Sequence, residues 1–174
     1  MSLWQRLTGR KAENPAAALY GAVVEKGREP HWYEAGGVPD TVDGRFDMIA
    51  SVFALVILRL EAEPEAGEIA ARLTECFVDD MDGQLRQFGV GDVVIGKRMG
   101  KIMGLVGGRL DAFRTALSPA AEERAFAEAL LRNLYRGVHP GDAALEHSVA
   151  GLRGLHAALA TTGFETLRGG SLPA

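Results

Sequence analysis

The stretch Met48–Leu58, MIASVFALVIL, limits the fold more than any other part of the chain. It sits inside a segment, about Arg45 to Glu63, with no glycine or proline after its first residues. An amphipathic surface helix shows a single apolar stripe, whereas this one is apolar on every side at its centre. Such a helix must be enclosed by neighbours all round. It is also well short of the roughly 20 apolar residues that a membrane-spanning helix requires. The sequence therefore predicts a helix buried in the middle of a bundle, stopped by Pro64.

The other periodic segments read as helices that can wrap it, and none carries a strand pattern. Asn14-Pro15 supplies a cap followed by proline and opens a helix over 16–26, ending near Gly27. Residues 28–44 are broken by Pro30, Gly36-Gly37, Pro39 and Asp43-Gly44 and read as irregular, with Trp32 and Tyr33 as a plug over a core edge or a partner's anchors. A helix from about Glu65 to Gly89 directs Ile69, Leu73, Cys76, Phe77, Met81 and Leu85 inward at spacings of three and four. Asp92 can cap a helix from Val93 to about Leu117. Ser118-Pro119 repeats the cap-plus-proline signal for a helix over 120–135, and Asp142 can cap a last one to about Thr161. The expectation is an all-α, single-domain helical bundle of about six to seven helices over 1–174, with 1–13 and 169–174 flexible.

Charge is uneven along the chain. Residues 1–92 carry 9 Lys/Arg against 16 Asp/Glu, and residues 93–174 carry 10 against 7. That mild basic excess, with few aromatics interleaved, argues against nucleic-acid binding. The single Cys76 excludes an intramolecular disulfide and fits a reducing compartment. The N-terminal MSLWQRLTGRKAENP lacks the apolar region of a secretory signal, so a cytoplasmic protein is expected. A short helix there, grouping Leu3, Trp4 and Leu7 beside Arg6, Arg10 and Lys11, allows peripheral contact with the inner face of a membrane.

Two segments attract functional readings. In FVDDMDGQLRQFGVGD (77–92), Asp79 and Asp82 share a helical face while Asp80 lies about 100° round from Asp79. Arg86 stands four residues after Asp82, the favoured order for an ion pair. The cluster lacks the further oxygen or imidazole ligands of a metal site. The four histidines form no HExxH or Cys/His cluster, and no nucleophile elbow or Walker loop occurs. No metal, no cofactor and no catalytic residue is expected, and so no enzyme.

The second segment is IGKRMGKIMGLVGGR. Gly96, Gly100, Gly104 and Gly108 recur every four residues, and each costs a helix about 1 kcal/mol relative to alanine. On a helix they form a bare groove that a second helix backbone can approach closely. That second helix is either the buried 45–63 segment of this chain or part of a partner, with Lys97, Arg98 and Lys101 near the rim.

FDMIASVFALVILRL (46–60), CFVDDMDGQLRQFGVGDVVIGKRMGKI (76–102), GRLDAF (108–113) and LLRNLYRG (130–137) together resemble the ubiquinol–cytochrome c chaperone family, over roughly residues 30–137. The specific part is the run from Phe77 through Gly96-Lys97; Gly100 and Gly104 depart from the family's pattern, where larger residues are usual. The resemblance implies a non-catalytic assembly factor for the cytochrome bc1 complex. It would bind newly made cytochrome b or another bc1 subunit, with a possible small partner protein. Carried over by matching position, the partner-binding residues are Asp80, Asp82, Arg86, Gly89, Gly91, Asp92, Gly96, Lys97 and Arg109. The alternative is a bundle that binds a small apolar ligand such as a quinone, haem or lipid tail, which would require a cavity of several hundred Å3.

Overall fold

A computed structural model describes residues 14–87 and 92–173, with side chains described outside 82–99. The described residues form eight helices and no strand: α1 (Ala17–Gly27), α2 (His31–Glu34), α3 (Val42–Glu61), α4 (Gly67–Gln87), α5 (Asp92–Ala116), α6 (Ala125–Asn133), α7 (Asp142–Thr161) and α8 (Phe164–Arg168). None of them is long and apolar enough to cross a membrane.

The all-α bundle is as expected, and α3 is its axis. Thirteen of its twenty residues are buried, and α1, α4, α5 and α7 pack around it. Gly27 lets the end of α1 lie against α3, since a Cβ there would come within 2.9 Å of Ile49 Cα. Phe77 from α4 reaches Phe53 at 4.7 Å between ring centroids, and Phe113 of α5 meets Phe126 of α6 at 5.1 Å. Ile69, Leu73, Phe77 and Met81 are buried along α4, and Val106 and Phe113 along α5.

Several boundaries differ from the sequence reading, each for a local reason. Helix α3 starts at Val42, because the Thr41 hydroxyl accepts from Gly44 N at 3.1 Å and so caps the helix three residues earlier than Arg45. Ser118 does not open a helix; its hydroxyl turns back to donate to Thr115 O, and the chain passes through turns until α6 begins at Ala125. The 28–44 stretch contains α2, whose Trp32 is buried at 2% exposure with its indole N–H donating to Lys26 O. Trp32 is thus the core-edge plug. After α7, Leu167 of α8 is fully buried and Leu172 packs against the core.

One polar group interrupts the apolar axis. Asp47 lies on α3 at 4% exposure and receives two arginines. Arg109 of α5, itself 2% exposed, donates to Asp47 Oδ1 at 2.7 Å and also to the Asn133 carbonyl at the end of α6. Arg136 donates to Asp47 Oδ2 at 2.6 Å and to Asp43 Oδ2 at 2.6 Å. It does so from a left-handed backbone conformation, φ 53°, which costs a non-glycine residue about 1–2 kcal/mol. The two ion-pair contacts offset that strain.

Two carboxylates thus face two guanidinium groups, so the cluster carries no net charge. Burial pulls the Arg109 guanidinium below its ordinary pKa, with Asp47 opposing the shift. Hydrogen bonding to Asp47 raises that of Arg136. Nε and Nη1 of Arg109 have no hydrogen-bond partner among the described residues, which adds to the desolvation the cluster must overcome.

Removing one partner of a buried ion pair costs more than removing both, because it strands the other charge. Asp47→Asn should therefore destabilise by about 3–5 kcal/mol. Arg109→Met, which leaves Asp47 with Arg136, should cost less. The double variant should be more stable than Asp47→Asn alone. Urea unfolding of the three variants checks this order; equal losses for the two single variants would contradict it.

Candidate protein-binding surface

The acid cluster near the end of α4 divides between fold and surface. Asp79 is exposed. Asp80 turns toward α1, where the Tyr20 hydroxyl donates to its Oδ2 at 2.6 Å. Burial, and then the neighbouring carboxylate, push the Tyr20 phenol well above its ordinary pKa, so it stays a donor throughout the biological range. Met81, one residue on, is buried in the core at 3% exposure. The segment is thus clamped from two sides, by a charge-assisted hydrogen bond and by apolar packing.

Helix α5 shows two faces of opposite character. Its inner face, with Val106, Arg109, Phe113 and Ala116, is buried. Its outer face carries Gly100, Gly104, Gly107 and Gly108, all exposed, and a Cβ built on any of them meets nothing within 4 Å. Close packing of these glycines on α3 is therefore not what the structure contains. The row lies open beside exposed Lys101 and beside Leu105, a large apolar side chain that is 50% exposed. Ile102 and Met103 are half-buried at the edge of the core.

Of the sequence-expected partner residues, Asp80 joins α4 to α1 and Arg109 lies inside the bundle on Asp47 rather than on a basic outer face. Asp82, Arg86, Asp92, Gly96 and Lys97 lie outside the residues whose side chains are described, and Gly89 and Gly91 lie outside the described residues altogether. The Asp82–Arg86 pair and the amphipathic N-terminal segment fall outside them as well.

Sequence reasoning missed Asp47 and Arg136. The available signal was Asp43 and Asp47 four residues apart, on one face at the entrance of an otherwise apolar helix. A cleft of about 320 Å3, lined by Pro15, Glu65, Glu68, Ile69, Phe164 and Arg168, lies at the bundle's edge. Two carboxylates and a guanidinium in that lining suit no quinone or lipid tail.

Tyr20→Phe deletes the donor to a part-buried carboxylate and should cost about 1.5 kcal/mol, the lower end for a hydrogen bond to a charged group. The raised phenol gives a second signature. An acid whose folded pKa lies above its unfolded value holds its stabilisation below the unfolded value, about 10 for tyrosine, and loses it as pH rises further. Wild type should accordingly lose stability above about pH 10 faster than Tyr20→Phe, as urea midpoints at pH 8 and pH 11 would record.

Comparison with known proteins bears on the family and the fold. The family model described as ubiquinol-cytochrome C chaperone matches residues 34–172. The crystal structure of the Cbp3 homolog from Brucella abortus superposes with a TM-score of 0.79 at 28% identity, covering 98% of this chain and 95% of that one. No curated protein matches. With the family model spanning most of the chain and the helical bundle shared nearly end to end, the protein belongs to the ubiquinol–cytochrome c chaperone family.

Proposed function

We propose that the protein is a non-catalytic assembly chaperone that holds newly made cytochrome b, or a related membrane subunit, while the bc1 complex is built. The observation that carries this reading is the open glycine face of α5. Four glycines in the nine residues 100–108 weaken an exposed helix by about 1 kcal/mol each without any close contact inside the bundle that would require them. Such a face accepts the backbone of another helix at short range, and apolar helices are what a polytopic membrane subunit has to offer.

Leu105 supplies an apolar anchor within that face, and Lys101 flanks it with a positive charge. The neighbouring segment that holds Asp80, Asp82, Arg86, Gly89, Gly91, Asp92, Gly96 and Lys97 extends the surface in this reading and gives it charges of both signs. Arg109 contributes indirectly by pinning the inner side of α5 to α3. Binding of this kind needs shape and exposed backbone and no reacting group. It places the protein at the inner face of the membrane only while a client is held, and a small partner protein can share the task.

The glycines separate folding from binding. Gly104→Ala should leave stability unchanged or raise it by up to about 1 kcal/mol, since the added methyl meets nothing. Gly100→Leu/Gly104→Leu should fold to the same helical content yet fill the face. In a pull-down from solubilised membranes, the wild type should retain cytochrome b and the double leucine variant should retain at least tenfold less. Capture unaffected by the leucines would remove the α5 face from the proposal. Absence of any bc1 subunit from the wild-type eluate, with normal bc1 levels in a deletion strain, would remove the function itself.

A further inference from the structure

Away from α5, two histidines from distant parts of the chain meet. His31 Nδ1 on α2 lies 2.9 Å from His147 Nε2 on α7, and His31 Nε2 lies 3.0 Å from Glu29 Oε2. Lys26 pairs with the other oxygen of Glu29 at 2.9 Å. Burial tends to raise the Glu29 pKa, but hydrogen bonds from Lys26 and His31 win and lower it, so Glu29 is a carboxylate that accepts. Among the described residues, no group of three or more metal-ligating side chains forms here. The 2.9 Å contact between the two rings is a hydrogen bond, and so one hydrogen lies between the facing nitrogens.

Glu29 fixes the proton positions. Its carboxylate accepts from His31 Nε2–H, which leaves Nδ1 of neutral His31 as an acceptor for His147 Nε2–H. The first added proton goes to the open Nδ1 of His147, or reaches His31 by transfer across the 2.9 Å contact with the opposite His147 tautomer. In either arrangement one hydrogen still lies between the facing nitrogens, so the contact persists. A second proton puts a hydrogen on both facing nitrogens. Two donors, both cationic, cannot hold 2.9 Å.

The consequence reaches the core through Trp32. His31 lies on the Trp32 ring at 4.1 Å between centroids, and that ring rests on α7, where a Cβ on Gly151 would come within 2.7 Å of it. The groups around the pair are Glu29 and Lys26 from the α1–α2 side. Next to His147, the Ser148 hydroxyl meets uncharged Tyr135, whose phenol burial keeps protonated. Glu34 on α2 and Glu146 beside His147 are exposed and bond to neither ring, so no second carboxylate is in place to absorb a second proton. The His31 side chain is 42% exposed, so protons arrive from solution.

We propose that Glu29, His31 and His147 form a two-proton latch between α2 and α7: the first proton leaves it shut, and the second releases α2 and uncovers Trp32. The protein would thereby register a fall in local pH by opening an apolar seam far from the α5 face. NMR of the imidazole Cε1–H groups between pH 8.5 and 4.5 tests the coupling, and acrylamide quenching in a Trp4→Phe background reads Trp32 alone.

The two rings should titrate as a coupled pair in two distinct steps, because the sites share one bond. Quenching of Trp32 should rise severalfold with the second step only. His147→Gln keeps a neutral amide that can offer either N–H or C=O to His31, so its quenching should stay flat over the same range while circular dichroism shows the same helicity. Independent single-site titration of both rings would overturn the latch. So would a rise in quenching with the first proton, or one that persists in His147→Gln.

Discussion

The carboxylate of Asp47 is the constraint on which the bundle turns. An axis helix that is apolar on all sides packs well but carries little information about which neighbour belongs on which side. Asp47 supplies that information at one point, because a buried carboxylate tolerates only an arrangement that brings cations to it. It receives α5 through Arg109 and the turn after α6 through Arg136. Three segments separated by 62 and 89 residues are thereby fixed against one another. Asp43, which shares Arg136 with Asp47, also suits the helix itself, since it lies in the first turn, where the backbone dipole favours negative charge.

Fixing the inner side of α5 determines what its outer side can be. Arg109 and Phe113 hold the helix by charge and by ring packing, so its attachment does not depend on the glycines of its outer face. Those glycines lower helix propensity and touch nothing inside the bundle. A helix made weak along its exposed line, yet held firmly along its buried one, can offer bare backbone without detaching. That combination suits a surface meant to receive another helix.

The legible part of this chain was its axis and its long helices. MIASVFALVIL admits one environment, and the three- and four-residue spacing of Ile69, Leu73, Phe77 and Met81 admits one face. What sequence could not show depended on choices between equivalent local partners. Ser118 had a following helix to cap and a preceding carbonyl to bond, and it took the carbonyl. Thr41, inside a run of prolines and glycines, capped the axis helix instead of extending a loop. Arg109 resembled one more cation on a basic helix, and only its tertiary neighbour Asp47 distinguishes it from Lys101. The glycine row was legible as a row, but whether it packed on the 45–63 helix or lay open was not, because either arrangement leaves the same apolar stripe, with Val106 and Phe113, in the core.

The acid cluster of α4 shows the same division at smaller scale. Consecutive aspartates on a helix point about 100° apart, so one of an adjacent pair can serve the fold while the other faces water. Asp80 ties α4 to Tyr20 and Asp79 is exposed. The clamp lies about two helical turns before the end of α4, with Met81 buried directly after it. The structure thus keeps its specifying polar contacts, Asp47 with its arginines and Asp80 with Tyr20, apart from the outer face of α5. Long apolar stretches fill the space between, and the described glycines of that outer face touch nothing inside the bundle. In the function proposed above, recognition falls to the part of the molecule that folding does not use.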